Sequence, residues 1–252
     1  MSSIVHGALD VHDESLVAEL IKPGTGEFIS ERLPHDRQRL LRAAQRWSKL
    51  GELRLCYEAG NAGYTIQRWL TEAGYHCDVI APSLVPKAPG ARVKTDKRDA
   101  RKLVTLYGAG LLQPVHVPTP EDEAVRALVR LRQDIQKDMT RVKNRITRYL
   151  GTLGHHYREQ KRKWTNKHRA WIRALPLDSI QELVVRTHLE QLDTLAEQHR
   201  AIEARIEEIA SSERYRDKVG RLMCLRGVKV QSAMGLLMEV DDPHRITAPQ
   251  LM

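Results

Sequence analysis

The chain has 252 residues, 29% of them charged and 41% apolar, with a formal net charge of +9. That length supports one domain with a full core and allows two, and it excludes a mini-protein that needs staples. No apolar run approaches the roughly twenty residues of a bilayer span. The N-terminus, Met1-Ser2-Ser3-Ile4-Val5-His6, lacks the basic-then-apolar order of a secretion signal. The expectation is therefore a cytoplasmic protein with no membrane partner. Three widely separated cysteines, Cys56, Cys77 and Cys224, fit neither a disulfide framework nor a tetrahedral zinc site. The positive charge is regional. Between Glu121 and Arg173 there are 15 Lys/Arg against 6 Asp/Glu, a balance of +9 that leaves the other 199 residues neutral. Such a segment suits a polyanion, because each neutralised phosphate releases condensed counterions; a solvated helix face is the plainer alternative.

In chain order, Ile4 to Val11, Ser15 to Ile21 and Glu27 to Arg32 alternate apolar and polar residues at period two. Tight connections at His12-Asp13-Glu14 and Pro23-Gly24-Thr25-Gly26 separate them, which predicts a three-stranded antiparallel meander. A helix over Asp36 to Leu50 and a strand over Leu53 to Tyr57 follow. Next come a helix over Ala62 to Ala73, ended by Gly74, and a strand over His76 to Ala81, stopped by Pro82. A meander followed by helix, strand, helix, strand is the order of an α/β ribonuclease-H-like domain, with parallel pairing in its later part. Pro82 to Arg92 reads as an exposed loop leading to a helix from about Thr95 to Tyr107. The proline-bearing stretch Pro114 to Pro120 marks a boundary, so the first domain is predicted over 1–118.

Beyond it, Leu128, Leu131, Ile135, Met139, Val142, Ile146 and Tyr149 form a three-four stripe that ends at Gly151 and Gly154. Leu192, Leu195, His199, Ile202, Ile206 and Ile209 form a second. Two such stripes predict an all-α coiled coil or helical bundle over 119–213, closed within one chain or between chains. Residues 214–252 open a further, mostly apolar helical unit with a turn at Leu225-Arg226-Gly227-Val228.

Four acids stand where this layout brings chemistry together. Asp10 lies near the end of the first strand and Glu58 at the end of the fourth, which the topology sets beside the first; Asp96 and Asp99 share one face at the start of a helix. Carboxylates converging on a point cannot all ionise cheaply without cations, and paired divalent ions are how nucleases and polymerases use such clusters. Taken alone, Asp96 and Asp99 also read as helix-capping acids, and Asp10 as a strand-end turn residue. The neighbouring cations Lys94, Lys97, Arg98 and Arg101 would hold a phosphate backbone beside them.

At these residues the chain resembles a known family. Gly7-Ala8-Leu9-Asp10-Val11-His12, Tyr57-Glu58-Ala59-Gly60-Asn61-Ala62-Gly63-Tyr64, Ala81-Pro82-Ser83-Leu84-Val85-Pro86 and, most specifically, Val93-Lys94-Thr95-Asp96-Lys97-Arg98-Asp99-Ala100 resemble the DEDD transposases of the IS110 insertion-sequence family. The likeness runs over essentially the whole chain. It implies a RuvC-like domain with Asp10, Glu58, Asp96 and Asp99 as catalytic magnesium ligands in a two-ion site. It also implies a coiled coil that forms a homodimer or dimer of dimers and grips a structured guide RNA pairing with DNA. The implied function is a DNA transposase or site-specific recombinase of a mobile element, RNA-guided, with metal-assisted strand cleavage and transfer in the bacterial cytoplasm or nucleoid. The family's last domain carries a nucleophilic serine in a segment that Ser232 does not match, so the chain is expected to be truncated before it. Lys229 stands where a second glycine often sits in that domain's opening turn. The alternative is a catalytically incomplete, nucleic-acid-binding and dimerising remnant or regulator of the full-length transposase.

Candidate nucleic-acid contacts on the helices are Arg126, Arg130, Arg141, Lys143, Arg145 and Arg148, which lie off the apolar stripe. Lys161, Arg162, Lys163 and Trp164 belong to a segment that interleaves cations with aromatics, a mixture suited to RNA. Trp164 and Trp171, seven apart, could instead share one packed helix face.

Overall fold

The computed structural model describes residues 3–60, 62–85, 96–159 and 163–240, without the side chains of Leu84, Asp96, Lys97 and Arg98. The chain divides into two compact units, residues 1–117 and 118–252.

The first unit is a five-stranded mixed sheet with helices on both faces. Its strands are β1 (Ile4–Val11), β2 (Ser15–Ile21), β3 (Phe28–Pro34), β4 (Glu52–Glu58) and β5 (His76–Ile80), in the spatial order β3-β2-β1-β4-β5. β1 pairs antiparallel with β2 and β2 with β3, whereas β4 pairs parallel with β1, and β5 parallel with β4. The parallel pairs exist because helices α1 (Arg37–Trp47) and α2 (Thr65–Glu72) carry the chain back between strands. Asp36 caps α1 by accepting the Arg39 N–H. The third strand runs to Pro34 rather than Arg32, since pairing with β2 continues to Ser15↔Pro34.

Alternation along β1 sorts its side chains. Val5 and Leu9 point to the core under α1 and α2, with Leu40, Trp47, Leu55, Tyr57, Ile66 and Leu70. Ala8 points to the opposite face, where Cys56 and Ile80 meet Leu103 and Val104 of helix α3 (Asp96–Gly108). β1 is thus covered on both sides, as a central strand must be. Gly7 leaves room for its neighbours: a Cβ there would stand 2.6 Å from Leu55 Cδ2.

The second unit is helical: α4 (Pro120–Thr152), α5 (Asn166–Arg173), α6 (Ser179–Ala210), α7 (Arg216–Met223) and α8 (Val230–Val240). The two long helices pack antiparallel, for Val125 and Val129 of α4 share a core with Ile206 and Ala210 of α6, while Val142, Ile146 and Leu150 share another with Val185, Leu189 and Leu192. Asp178 and Gln181 form a capping box that starts α6 well before its apolar stripe becomes regular. The α4 seam differs from the stripe read in sequence. Leu131 is 48% exposed, and Val125 and Val129 are buried instead. A straight 3.6-residue helix drifts about 20° per heptad against a strict seven-residue repeat, and the first turns of α4 also pack on α8. Among the described residues no helix is long and apolar enough to cross a membrane.

Candidate active site

The site is built by strand register. The β1–β4 pairing runs in register to Leu9↔Tyr57, so Asp10 and Glu58 follow side by side at the carboxyl edge of two adjacent parallel strands. Because Ala8 and Cys56 face α3, period-two alternation sends Asp10 and Glu58 to that same face. Asp99, exposed on the first turn of α3, lines with them a cleft of about 540 Å³. Val85, Ala100 and Leu103 form its apolar floor, and Lys102 contributes a cation to its rim. A cleft beyond the carboxyl ends of parallel strands is where open α/β sheets bind ligands.

Asp10 is partly exposed, and its Oδ2 lies 3.2 Å from Nε2 of His12. His12, the residue after β1, lines the same cleft, two positions from Asp10. Asp96 is the first residue of α3, one turn before Asp99, with its side chain outside the described residues. Among the described residues, no group of three His, Cys, Asp or Glu side chains stands close enough to hold a metal ion. The chemistry of the donor set nevertheless fits a hard divalent cation, since it offers carboxylate oxygens at one water-accessible edge and no thiolate.

Sequence reasoning missed Glu19. It sits on β2 opposite Ala8, fully buried, and accepts hydrogen bonds from Ser30 Oγ at 2.6 Å and Arg101 Nε at 3.1 Å. Local pattern carries no signal for it, because the face is covered only by α3, about eighty residues on. Arg101 is therefore engaged with a protein carboxylate. The Tyr57 hydroxyl donates to the Gly63 carbonyl at 2.8 Å and secures the turn after Glu58; burial pushes its pKa well up.

The basic residues of the helical unit divide into two groups. Arg126 donates to the Met238 carbonyl, Arg130 forms a bidentate pair with Glu239 at 2.7 and 2.8 Å, and Arg132 bonds Glu203. These contacts tie α4 to α8 and α6. Arg141 pairs with Asp138 on its own helix. Arg145 and Arg148 are exposed, Lys143 is half-buried, and none of the three has an ion-pair partner among the described residues. Lys163 is exposed, and it lines a small recess with His155, His156 and Trp171. Lys94, Lys161 and Arg162 lie outside the described residues, as do the side chains of Lys97 and Arg98.

Trp164 is half-buried, with φ at +65°, and packs edge-on against His168, 5.2 Å between ring centroids. Its backbone N–H donates to His168 Nδ1 at 2.9 Å, so that nitrogen carries no proton. His168 is 4% exposed and stacks on Trp171. Desolvation, followed by the Lys163 charge, holds its pKa below the ordinary 6.5. With a depressed folded-state pKa the unfolded chain binds the extra proton more readily, so stability is full above about pH 6.5 and falls below it. Tryptophan fluorescence from this cluster should progressively lose its buried character as pH falls below about 6.5, and His168→Gln should abolish that change. A flat profile in the parent protein would refute the buried-imidazole account.

The family model for DEDD transposases of the IS110 type, described as a transposase, matches residues 8–154, a span that contains all four acids. The transposase for insertion sequence element IS1533 of Leptospira borgpetersenii is 32% identical over 246 residues, covering 96% of this chain and 71% of that protein. The putative transposase y4qE of Sinorhizobium fredii is 34% identical over 206 residues, 81% of this chain and 50% of its own length. The chain belongs to the IS110 family of mobile-element transposases.

Proposed function

We propose that the chain binds DNA and, with divalent metal, cleaves and transfers its strands as an RNA-guided transposase. The observation that carries this reading is the convergence of Asp10, Glu58 and Asp99 on one cleft at the carboxyl edge of a mixed sheet. The strand order, a meander joined to two parallel crossovers, suits a ribonuclease-H-like, RuvC-like domain. Asp10, Glu58, Asp99 and Asp96 would hold magnesium, in a two-ion arrangement. Magnesium bound there supplies charge stabilisation to the attacking and leaving oxygens of a phosphodiester. The protein's part is to hold acceptor oxygens at fixed spacing and to bring Lys102 beside the scissile phosphate. His12 orients Asp10 through their hydrogen bond.

In the helical unit, Lys143, Arg145, Arg148 and Lys163 are the proposed RNA or DNA contacts, because among the described residues their charges are not spent on carboxylates, and the half-buried Trp164 next to Lys163 is proposed as a stacking surface. The α4–α6 pair is proposed as an intrachain antiparallel coiled coil through which the protein forms a homodimer or dimer of dimers. Its work would lie in the cytoplasm, on the nucleoid. The test is a strand-cleavage and strand-exchange assay with a guide RNA, with magnesium and with chelator. Metal-dependent products are expected from this chain; binding without turnover under every condition would reduce the reading to a nucleic-acid-binding protein.

Charge placement makes a separate prediction. Arg145→Ala with Arg148→Ala should weaken nucleic-acid binding about twentyfold near 0.15 M salt and flatten the salt dependence by roughly 2 in log–log slope. Arg126→Ala with Arg130→Ala should leave that slope unchanged while lowering thermal stability. Equal effects of the two pairs on the slope would contradict the division of roles.

A further inference from the structure

Helix α3 carries Asp99 to the cleft, so whatever sets the position of α3 sets the geometry of the acids. Its apolar contacts, Ala100, Leu103 and Val104 against Ala8, Cys56 and Ile80, fix depth but little else, because apolar burial is non-directional. A helix advanced by one residue moves about 1.5 Å and turns by about 100°. Ligand distances around a metal tolerate only about 0.2 Å. Something directional has to select the register.

Among the described residues, Tyr107 and Arg101 carry polar contacts from α3 to the sheet. At its far end the Tyr107 hydroxyl donates to Asp78 Oδ2 of β5 at 2.6 Å. Near the cleft, two residues beyond Asp99, Arg101 donates through Nε to Glu19 Oε2 of β2. Glu19 is fully buried, its second oxygen accepts from Ser30 Oγ of β3, and the Arg101 guanidinium lies 4.9 Å from the Phe28 ring centroid. A fully buried carboxylate is expensive unless its partner stays in place, which makes the contact a sharp function of helix position.

We infer that Glu19 and Arg101 are positioning residues: the ion pair between the buried Glu19 carboxylate and the half-exposed Arg101 guanidinium fixes the register of α3 on the sheet and thereby sets Asp99 against Asp10 and Glu58. The inference rests on the metal-site reading for its consequence, though not for the clamp itself. Groups that orient ligands from behind are worth about ten- to a hundredfold in metal affinity.

The test uses the full chain with Glu19→Met and Arg101→Met together, which removes both charges and leaves no buried ion unpaired. The expected result is a thermal transition close to that of the parent, with hydrogen exchange of the α3 backbone amides accelerated about tenfold and Mn²⁺ affinity lowered about tenfold. Tyr107→Phe, which loosens the distal contact, should leave Mn²⁺ affinity unchanged, a split that a general stability role would not produce. Unchanged α3 exchange and unchanged Mn²⁺ affinity in the double variant would overturn the inference, as would equal loss of affinity in Tyr107→Phe. Should the double variant fail to fold, Arg101→Lys decides: affinity lowered about threefold or more supports the clamp, and parental values on both readouts reject it. If the parent itself binds no Mn²⁺, the metal reading falls, and the exchange measurement alone decides whether the clamp exists.

Discussion

Asp10→Ala should eliminate divalent-metal binding and lower metal-dependent strand cleavage by about a thousandfold or more while leaving the fold intact. The size follows from position. Asp10 and Glu58 are adjacent at the ends of paired parallel strands, so removing one halves the carboxylate charge contributed by the sheet. The fold survives because Asp10 is a partly exposed strand-end residue, and its hydrogen bond to the exposed His12 is worth little to stability. The measurement is a Mn²⁺ titration followed by cleavage with saturating metal. Parental metal affinity in the variant would remove Asp10 from the ligand set.

The second large effect concerns stability. Arg214→Ala is expected to lower the melting temperature of the helical unit by roughly 6–10 °C, equivalent to about 2 kcal/mol. Asp122, in the first turn of α4, is the hub of a network. Its oxygens accept from Tyr215 Oη at 2.6 Å, Thr119 Oγ1 at 2.7 Å and Arg214 Nε at 3.1 Å, and Thr119 in turn caps the helix. Burial alone would raise the Asp122 pKa; the hydrogen bonds from Arg214, Tyr215 and Thr119 outweigh it and bring the carboxyl down to about 2. A depressed folded-state pKa means that this stability is present above the unfolded value near 3.8 and is lost as pH falls toward 2. Truncating Arg214 leaves the carboxylate, only 13% exposed, without its cation. Scanning calorimetry at neutral pH and at pH 3 checks both claims: the parent should lose stability between these values, and the variant should lose less. Equal melting temperatures of parent and variant at neutral pH would show the network to be idle.

How far the sequence carries differs from element to element. β1 and β2 were legible to the residue because alternation and tight turns are local properties, and their pairing followed from the turn between them. The crossover order that sets β4 beside β1 was legible too, and with it the adjacency of Asp10 and Glu58. The first turns of α6 and the whole of α5 were not: Ile180 and Leu183 are exposed apolar residues that blur the period, and α5 is a basic stretch whose buried side, His168 and Ile172, is only two residues wide.

What the sequence by itself determined was the alternation of the strands, the four acids in chain order, and the confinement of excess positive charge to one stretch. What only the tertiary structure decided is which of those charges are already used. Arg126, Arg130, Arg145 and Arg148 are equivalent in sequence, all off the apolar stripe of one helix. Two of them meet acceptors brought by α8 from more than a hundred residues away, and two meet none among the described residues. Glu19 and Arg101 likewise become partners only when α3 folds back over β2. Helical and strand periodicity is encoded locally, whereas the pairing of a charge depends on which distant element closes over it.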